Sequence, residues 1–318
     1  MRLVITGGSG QVGLILARHF QEEGHQVTVV SRHVRPQEWR TRTWDGLTLG
    51  NWVSDLEDAD ALINLAGRSV NCRYNEANRR SIMDSRVGTT RLLHRALASL
   101  DRPPRVWLNA STATIYRHAL DRPMDEATGE LGGDEIGAPS TWNFSIGVAK
   151  AWEEAFFATD TPCTRKIAMR SALTLSPDPG GVFDVMLALV RRWMGGPMGH
   201  GTQYVSWIHE ADFVRAVEFL ITRDNMSGVV NLSSPHPVPN RQFMRALRQA
   251  WCVCPGLPLA KWMLEIGALL LRTETELVLK SRRVIPARLQ AAGFCFGFPE
   301  WPSAARELVE RWRIQHRS

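Results

Sequence analysis

Thr6-Gly7-Gly8-Ser9-Gly10-Gln11-Val12-Gly13 stands directly behind the apolar run Leu3-Val4-Ile5 and opens a stretch of helical periodicity that continues to Glu23. Glycines at 7, 10 and 13 permit a tight turn, close backbone approach to a pyrophosphate and close packing of helix on strand. The helix they open brings free N–H groups and its positive dipole end to the same place. A Gly24-His25 turn leads into the valine-rich strand Gln26 to Val30, completing a βαβ unit. A glycine loop alone is a weak signal, but inside a βαβ unit it points to dinucleotide binding.

Working outward, strands are expected at Ala61 to Leu65 and at Arg105 to Ala110 behind the Pro103-Pro104 break, with a long helix between them from about Glu76 to Leu100. Strands alternating with helices of this length predict an α/β fold, a Rossmann doubly wound parallel sheet with right-handed crossovers. After Met169 the prolines and glycines at 177 to 181 and Gly195-Gly196-Pro197 interrupt the apolar runs. Residues 1–172 are therefore assigned to the dinucleotide domain, and 173–318 mainly to a smaller C-terminal, substrate-facing lobe. The apolar stretch Leu257 to Leu271 is shorter than a bilayer span and carries Lys261 and Glu265, so it reads as a buried or amphipathic helix.

The second strand ends in Val30-Ser31-Arg32-His33, where an NAD site usually carries Asp or Glu for the ribose hydroxyls. Ser31 and Arg32 would instead accept a 2′-phosphate, which points to NADP(H) before NAD(H).

The formal net charge of +6 comes from arginines scattered along the chain, with no zinc-finger or helix-turn-helix pattern. This favours anionic small ligands and gives no expectation of a nucleic-acid partner. The five cysteines are odd in number and lack Cys-x-x-Cys units, so no metal site is expected and the thiols read as reduced, as in the cytoplasm. Met1-Arg2-Leu3-Val4-Ile5 runs straight into a strand, without the pattern of a secretory signal, and no membrane partner is expected.

These segments resemble the extended and atypical short-chain dehydrogenase/reductases, the NAD-dependent epimerase/dehydratases. Thr6 to Gly13 is similar to their cofactor loop, and Ile63-Asn64-Leu65-Ala66-Gly67 to the strand end that lies along the cofactor. Ala110-Ser111-Thr112-Ala113-Thr114-Ile115-Tyr116 resembles their Ser-Ser-x-x-x-Val-Tyr segment, and Trp207-Ile208-His209-Glu210-Ala211-Asp212 their Ile-His-x-x-Asp segment. Asp84-Ser85-Arg86-Val87-Gly88-Thr89-Thr90, Gly195-Gly196-Pro197-Met198-Gly199 and Arg283-Val284-Ile285-Pro286-Ala287-Arg288-Leu289 resemble an epimerase-like branch whose C-terminal segment has no known function. The resemblance implies cofactor contacts at Leu65, Ala66, Gly67 and Arg86, a small-molecule substrate, and a homodimer paired through long helices.

The wider family uses a Tyr-x-x-x-Lys pair on one helix, where the lysine and the cofactor ribose activate the tyrosine for proton exchange. Aligned on the family helix, Phe144 to Glu153 keeps the lysine as Lys150 and puts Ile146 at the tyrosine. Thr112 aligns with the Ser/Thr that bonds the substrate oxygen. Lys150 is assigned to catalysis and the cofactor ribose, and Thr112 to catalysis. Tyr116 is a substitute acid to be tested, and Asp212 reads as a helix N-cap. Arg73, Arg79 and Arg86 lie in a basic stretch that would face a phosphorylated or carboxylated substrate. Trp142, Trp152, Trp193 and Trp207 fall in segments expected to border the cleft. Two functional classes remain open: an NADP(H)-dependent oxidoreductase or epimerase-like enzyme without the usual tyrosine, and a catalytically silent NADP(H)-binding sensor.

Overall fold

Continuous apolar runs along the predicted strands put apolar side chains on both faces of a sheet and require cover on each, and the chain supplies it. The structure, a computed structural model, describes residues 1–33, 37–135, 137–260 and 276–316. In chain order, β1 (Arg2–Thr6), α1 (Gln11–Glu22), β2 (Gln26–Ser31), β3 (Arg40–Thr43), β4 (Ala61–Asn64), α2 (Glu76–Ala98), β5 (Val106–Thr112), α3 (Ser140–Phe157) and β6 (Arg165–Ser171) form the first part. There follow β7 (Leu173–Leu175), α4 (Val182–Arg191), β8 (Tyr204–Val205), β9 (Trp207–His209), α5 (Glu210–Thr222), β10 (Gly228–Leu232), β11 (Val238–Pro239) and α6 (Asn240–Trp251). The last helix is Trp301–Gln315.

One seven-stranded sheet runs β10-β6-β5-β4-β1-β2-β3 with every neighbouring pair parallel, a Rossmann-like α/β fold. Leu3 and Ile5 of β1 join Val27, Val29, Ile63, Leu108 and Ile167 in a core covered by Leu16 and Phe20 of α1 and Phe213, Val217 and Leu220 of α5. Val4, Val30, Leu62 and Trp107 point the other way, onto Leu92 and Leu93 of α2 and Phe156 of α3. Burial of both faces follows from the period of two.

The structure adds to the sequence reading at three points. The expected division at 172 falls directly behind β6, but the chain returns to the sheet at β10, which pairs with β6 from Gly228↔Ile167 to Leu232↔Ser171. A second core does form beyond 172, where Phe183, Leu187, Trp207, Phe243, Leu247, Trp301 and Leu308 pack together. Second, β3 has the sequence RTRT at a half-exposed edge, so no apolar alternation marks it. Third, α5 is capped by His209, whose Nδ1 accepts the Ala211 N–H at 3.1 Å. Asp212 lies inside the helix and accepts the N–H groups of Gly297 and Phe298 at 2.7 and 2.8 Å. It thus ties the C-terminal segment to α5 instead of capping it.

Of the helix read over Leu257 to Leu271, residues 261–271 lie outside the described residues, and Leu259 makes an isolated bridge to Met198. Among the described residues no helix is long and apolar enough to cross a membrane. Residues 280–288 strap back over the strand ends: Ser206 Oγ donates to the Arg282 carbonyl at 2.7 Å, and Asn231 Nδ2 to the Ile285 carbonyl at 2.9 Å. That strap brings C-terminal side chains to the mouth of the sheet.

Candidate functional site

The glycine loop follows β1 as the spacing predicts. Gly7 has φ +72°, and a Cβ there would stand 2.5 Å from Ala66 Cα, so the left-handed turn and the close strand both require glycine. Gly10 is the N-cap of α1 without a side-chain cap, which leaves the first N–H groups of the helix open. Thr6 is buried; its Oγ1 donates to Asn64 Oδ1 at 2.8 Å, and Asn64 in turn accepts the Ala66 N–H at 3.1 Å. Thr6 therefore positions the Leu65-Ala66-Gly67 segment from beneath.

A first cavity of about 620 Å³ opens over this loop, lined by Gly7, Ser9, Gly10, Ser31, Arg32 and Leu65-Ala66-Gly67, with Trp44 to Leu47 opposite. Ser31 Oγ donates to Ser9 Oγ at 2.8 Å, and Arg32 is exposed at the mouth. Among the described residues β2 ends in Ser31 and is followed by Arg32 and His33, without a carboxylate. Asp45, across the cavity, has its oxygens taken by Thr48 and Leu47; these hydrogen bonds hold its carboxyl down to about 2. A cradle that any Cβ would fill, open helix N–H groups and hydroxyl and guanidinium donors at the strand end fit a dinucleotide carrying an extra phosphate.

A second cavity of about 410 Å³ shares Leu65 with the first and lies over the C-terminal ends of β5 and β6. Gln11 and Val12 from the start of α1, Thr112 and Thr114 line it, and α3 presents Ser145, Val148, Ala149 and Trp152 to it. Lys150 is not brought here: its Nζ points to Asp134 at 4.0 Å, on the other side of the helix. Ile146 is buried against Gly132 and Gly133. One residue turns a helix by about 100°, so α3 presents Ser145 and Ala149 to this cavity, one place before Ile146 and Lys150. Neither tyrosine nor lysine occupies this face.

Other groups gather at that position. Ser145 Oγ donates to Glu276 Oε2 at 2.5 Å and lies 3.3 Å from the Tyr74 hydroxyl. Glu276 is buried and 3.8 Å from Arg282, whose Nε donates to Thr114 Oγ1 at 3.2 Å. Behind them Lys280 donates to the Thr114 carbonyl at 2.7 Å; burial, helped by the charge of Arg282, brings its amine down to about 8. Arg86 reaches the second cavity from α2 and lies over the Trp152 ring at 5.2 Å. Glu276 and Arg282 come from a segment about which the sequence reading had no chemical signal.

The remaining expectations sort by position. Tyr116 is buried outside both cavities, donates to Asn231 Oδ1 at 2.9 Å and accepts from Arg170 Nη1 at 2.9 Å, so it is not placed to act on a ligand. Arg79 Nε donates to the Tyr74 carbonyl and its guanidinium lies over Phe144. Of the four tryptophans, only Trp152 lines the second cavity; Trp142 stacks on His118, Trp193 is exposed and Trp207 packs edge-on to Trp301.

Residues 3–233 match the NAD dependent epimerase/dehydratase family, and residues 259–308 match a domain of unknown function, DUF1731. Epimerase family protein SDR39U1 of Homo sapiens is 31% identical over 312 residues, which span 97% of this chain and 100% of the relative. The crystal structure of human epimerase family protein SDR39U1 (isoform 2) with NADPH superposes with a TM-score of 0.85 at 30% identity, covering 98% of this chain and 99% of that one. A nucleoside-diphosphate sugar epimerase from Corynebacterium glutamicum has a TM-score of 0.75 at 27% identity, over 97% of this chain and 58% of its own.

Proposed function

The chain belongs to the NAD-dependent epimerase/dehydratase family, and on that footing we propose that it binds NADP(H) in preference to NAD(H) and acts as an oxidoreductase or epimerase-like enzyme on a small molecule. The observation that carries the cofactor choice is the end of β2, where Ser31, hydrogen-bonded to Ser9, and Arg32 line the first cavity in place of an Asp or Glu. The human relative solved with NADPH supports the same choice.

In this reading Gly7, Gly8, Ser9, Gly10 and the open N–H groups of α1, from Gln11 to Gly13, hold the pyrophosphate. Leu65, Ala66 and Gly67 flank the cofactor where the two cavities meet, and Ser31 with Arg32 takes the 2′-phosphate. When bound, NADP(H) supplies or accepts a hydride. The protein's part is to hold a substrate oxygen and move its proton. Thr112 Oγ1, already accepting the Thr114 N–H at 3.1 Å, is left with its own O–H to donate to that oxygen. Tyr74, Ser145 and Glu276 form a connected hydroxyl, hydroxyl and carboxylate set on the same cavity wall. They supply a proton path in place of the missing tyrosine, a role suited to groups within hydrogen-bond reach. Lys150, on the outer face, has no part in it.

The test is a fluorescence titration of the protein and of Arg32→Ala with NADPH and NADH. NADPH binding the wild type more tightly, with the preference falling about tenfold in Arg32→Ala as a charge-assisted pair is lost, is the expected result. Equal affinity for the two nucleotides, or binding of neither, overturns the reading.

A further inference from the structure

Several buried or half-buried guanidinium groups in this protein are matched by carboxylates, whereas Arg86, at the second cavity, is not. Arg170 pairs with Glu153 at 2.7 Å, Arg282 with Glu276 at 3.8 Å, and Arg165 with Asp224 at 3.8 Å. Arg86 spends Nη1 on the carbonyls of Arg68 and Ile82, at 3.0 and 3.2 Å, and rests on the Trp152 ring. Among the described residues it has no carboxylate within ion-pairing distance, and its Nε and Nη2 have no hydrogen-bond acceptor. Burial lowers it only to about 10, so near neutral pH it stays a cation. A charge held out of water without a counter-ion is costly, and an arriving anion relieves that cost.

We propose that the second cavity takes a small carbonyl or alcohol compound bearing a carboxylate, and that Arg86 holds the carboxylate. The inference rests on the cofactor reading above, which makes this cavity the substrate's side. Arg86 opens here and does not line the first cavity, where the glycine loop and α1 provide for the cofactor's phosphates. Around it the wall is largely apolar, with Leu65, Ile82, Val148 and Phe213, so the rest of the ligand is a short hydrocarbon or aromatic body. At about 410 Å³ the space is at the small end of ligand pockets and must also admit the nicotinamide. That leaves room for a compact acid and not for a second nucleotide. A planar carboxylate is matched by the two donors that Arg86 leaves open.

The test is calorimetric titration of the full-length protein, with and without saturating NADP⁺, using benzoate and its neutral isostere benzamide as probes. Benzoate binding about tenfold or more tighter than benzamide is the expected result, the worth of one hydrogen-bonded charge pair. Arg86→Gln brings the two probes within about twofold of each other, Arg86→Lys keeps part of the preference, and NADP⁺ affinity stays within about threefold of wild type. Equal affinity of the wild type for the two probes, or no benzoate binding, overturns the proposal without any variant. Loss of NADP⁺ binding in Arg86→Gln with the benzoate preference intact would assign the guanidinium to the cofactor. Arg86-dependent binding of uridine diphosphate in preference to benzoate would make the anion a nucleotide's, and overturns the small acid. Should NADP⁺ fail to bind the wild type, the cofactor reading falls separately, while the probe ratio in the nucleotide-free protein still decides the role of Arg86.

Discussion

Gly13, in the first turn of α1, lies against Gly8 so closely that a Cβ on Gly13 would clash with the Gly8 Cα and stand 2.6 Å from its carbonyl oxygen. Those neighbours are backbone, with no flexible side chain to yield. Gly13→Ala must therefore push the helix off the loop, with an overpacking cost of about 1–3 kcal/mol and NADPH affinity reduced by about tenfold or more through the displaced N–H groups. Gly88→Ala, in mid α2 with open space around its Cβ position, is the control: it should stabilise by about 0.5–1 kcal/mol. Thermal melts of both variants with a nucleotide titration check the pair. A Gly13→Ala protein that melts and binds like wild type would refute the close-packing argument.

Ser31 closes β2 with its hydroxyl on Ser9 and no acid beside it. Ser31→Asp puts a carboxylate where ribose hydroxyls would donate and where a 2′-phosphate would be repelled. The ratio of NADPH to NADH affinity should fall by about tenfold or more and approach inversion in Ser31→Asp/Arg32→Ala, since each change alters one charge contact. Titration of both nucleotides measures it. A ratio unmoved by the double change would mean that the 2′ position lies elsewhere.

The glycine loop and the parallel sheet are legible because their signals are local: glycines with one steric task, and continuous apolar runs of strand length alternating with helical segments. Lys150 shows where that reading gives out. Counting from a motif assigns it to the cofactor, whereas its Nζ lies 4.0 Å from Asp134, and one residue on a helix turns a side chain by about 100°. Helical period alone would have grouped Ser145, Val148, Ala149 and Trp152, the face the cavity uses. Glu276 meets Ser145 across 131 positions of chain, and neither propensity nor spacing encodes that meeting. The spacing puts Asp212 at a helix start, but its distant partners, Gly297 and Phe298, take it from the cap that His209 supplies.

Beneath the second cavity, Glu153 accepts from Ser111 Oγ at 2.5 Å and from Arg170 at 2.8 and 2.7 Å, and Arg170 continues to Tyr116 at 2.9 Å. Both charged partners are buried. Glu153→Ala leaves the Arg170 guanidinium uncompensated and should cost about 3–5 kcal/mol, whereas Glu153→Leu/Arg170→Met, which removes both charges, should recover most of that loss. Urea unfolding of the single and double variants decides it. A single variant that loses less than about 1 kcal/mol would place the pair in effective contact with solvent.

Lys280 gives the protein a pH dependence of stability above neutrality. Its side chain is buried, and burial together with the nearby charge of Arg282 holds the amine at about 8, below its ordinary 10.5. Between those values the unfolded chain holds more protons than the folded one, so this residue makes stability rise with pH across that window. Below about 8 the folded protein carries the full cost of a buried ammonium, and above about 10.5 that cost is gone. The gap is worth on the order of 3 kcal/mol. Lys280→Met, of similar length and without charge, removes the dependence. The stability of wild type relative to Lys280→Met, from urea unfolding at a series of pH values, should therefore climb by up to about 3 kcal/mol between pH 7.5 and 10.5. A flat difference would mean that Glu276 and Glu135 already neutralise the ammonium in the folded protein.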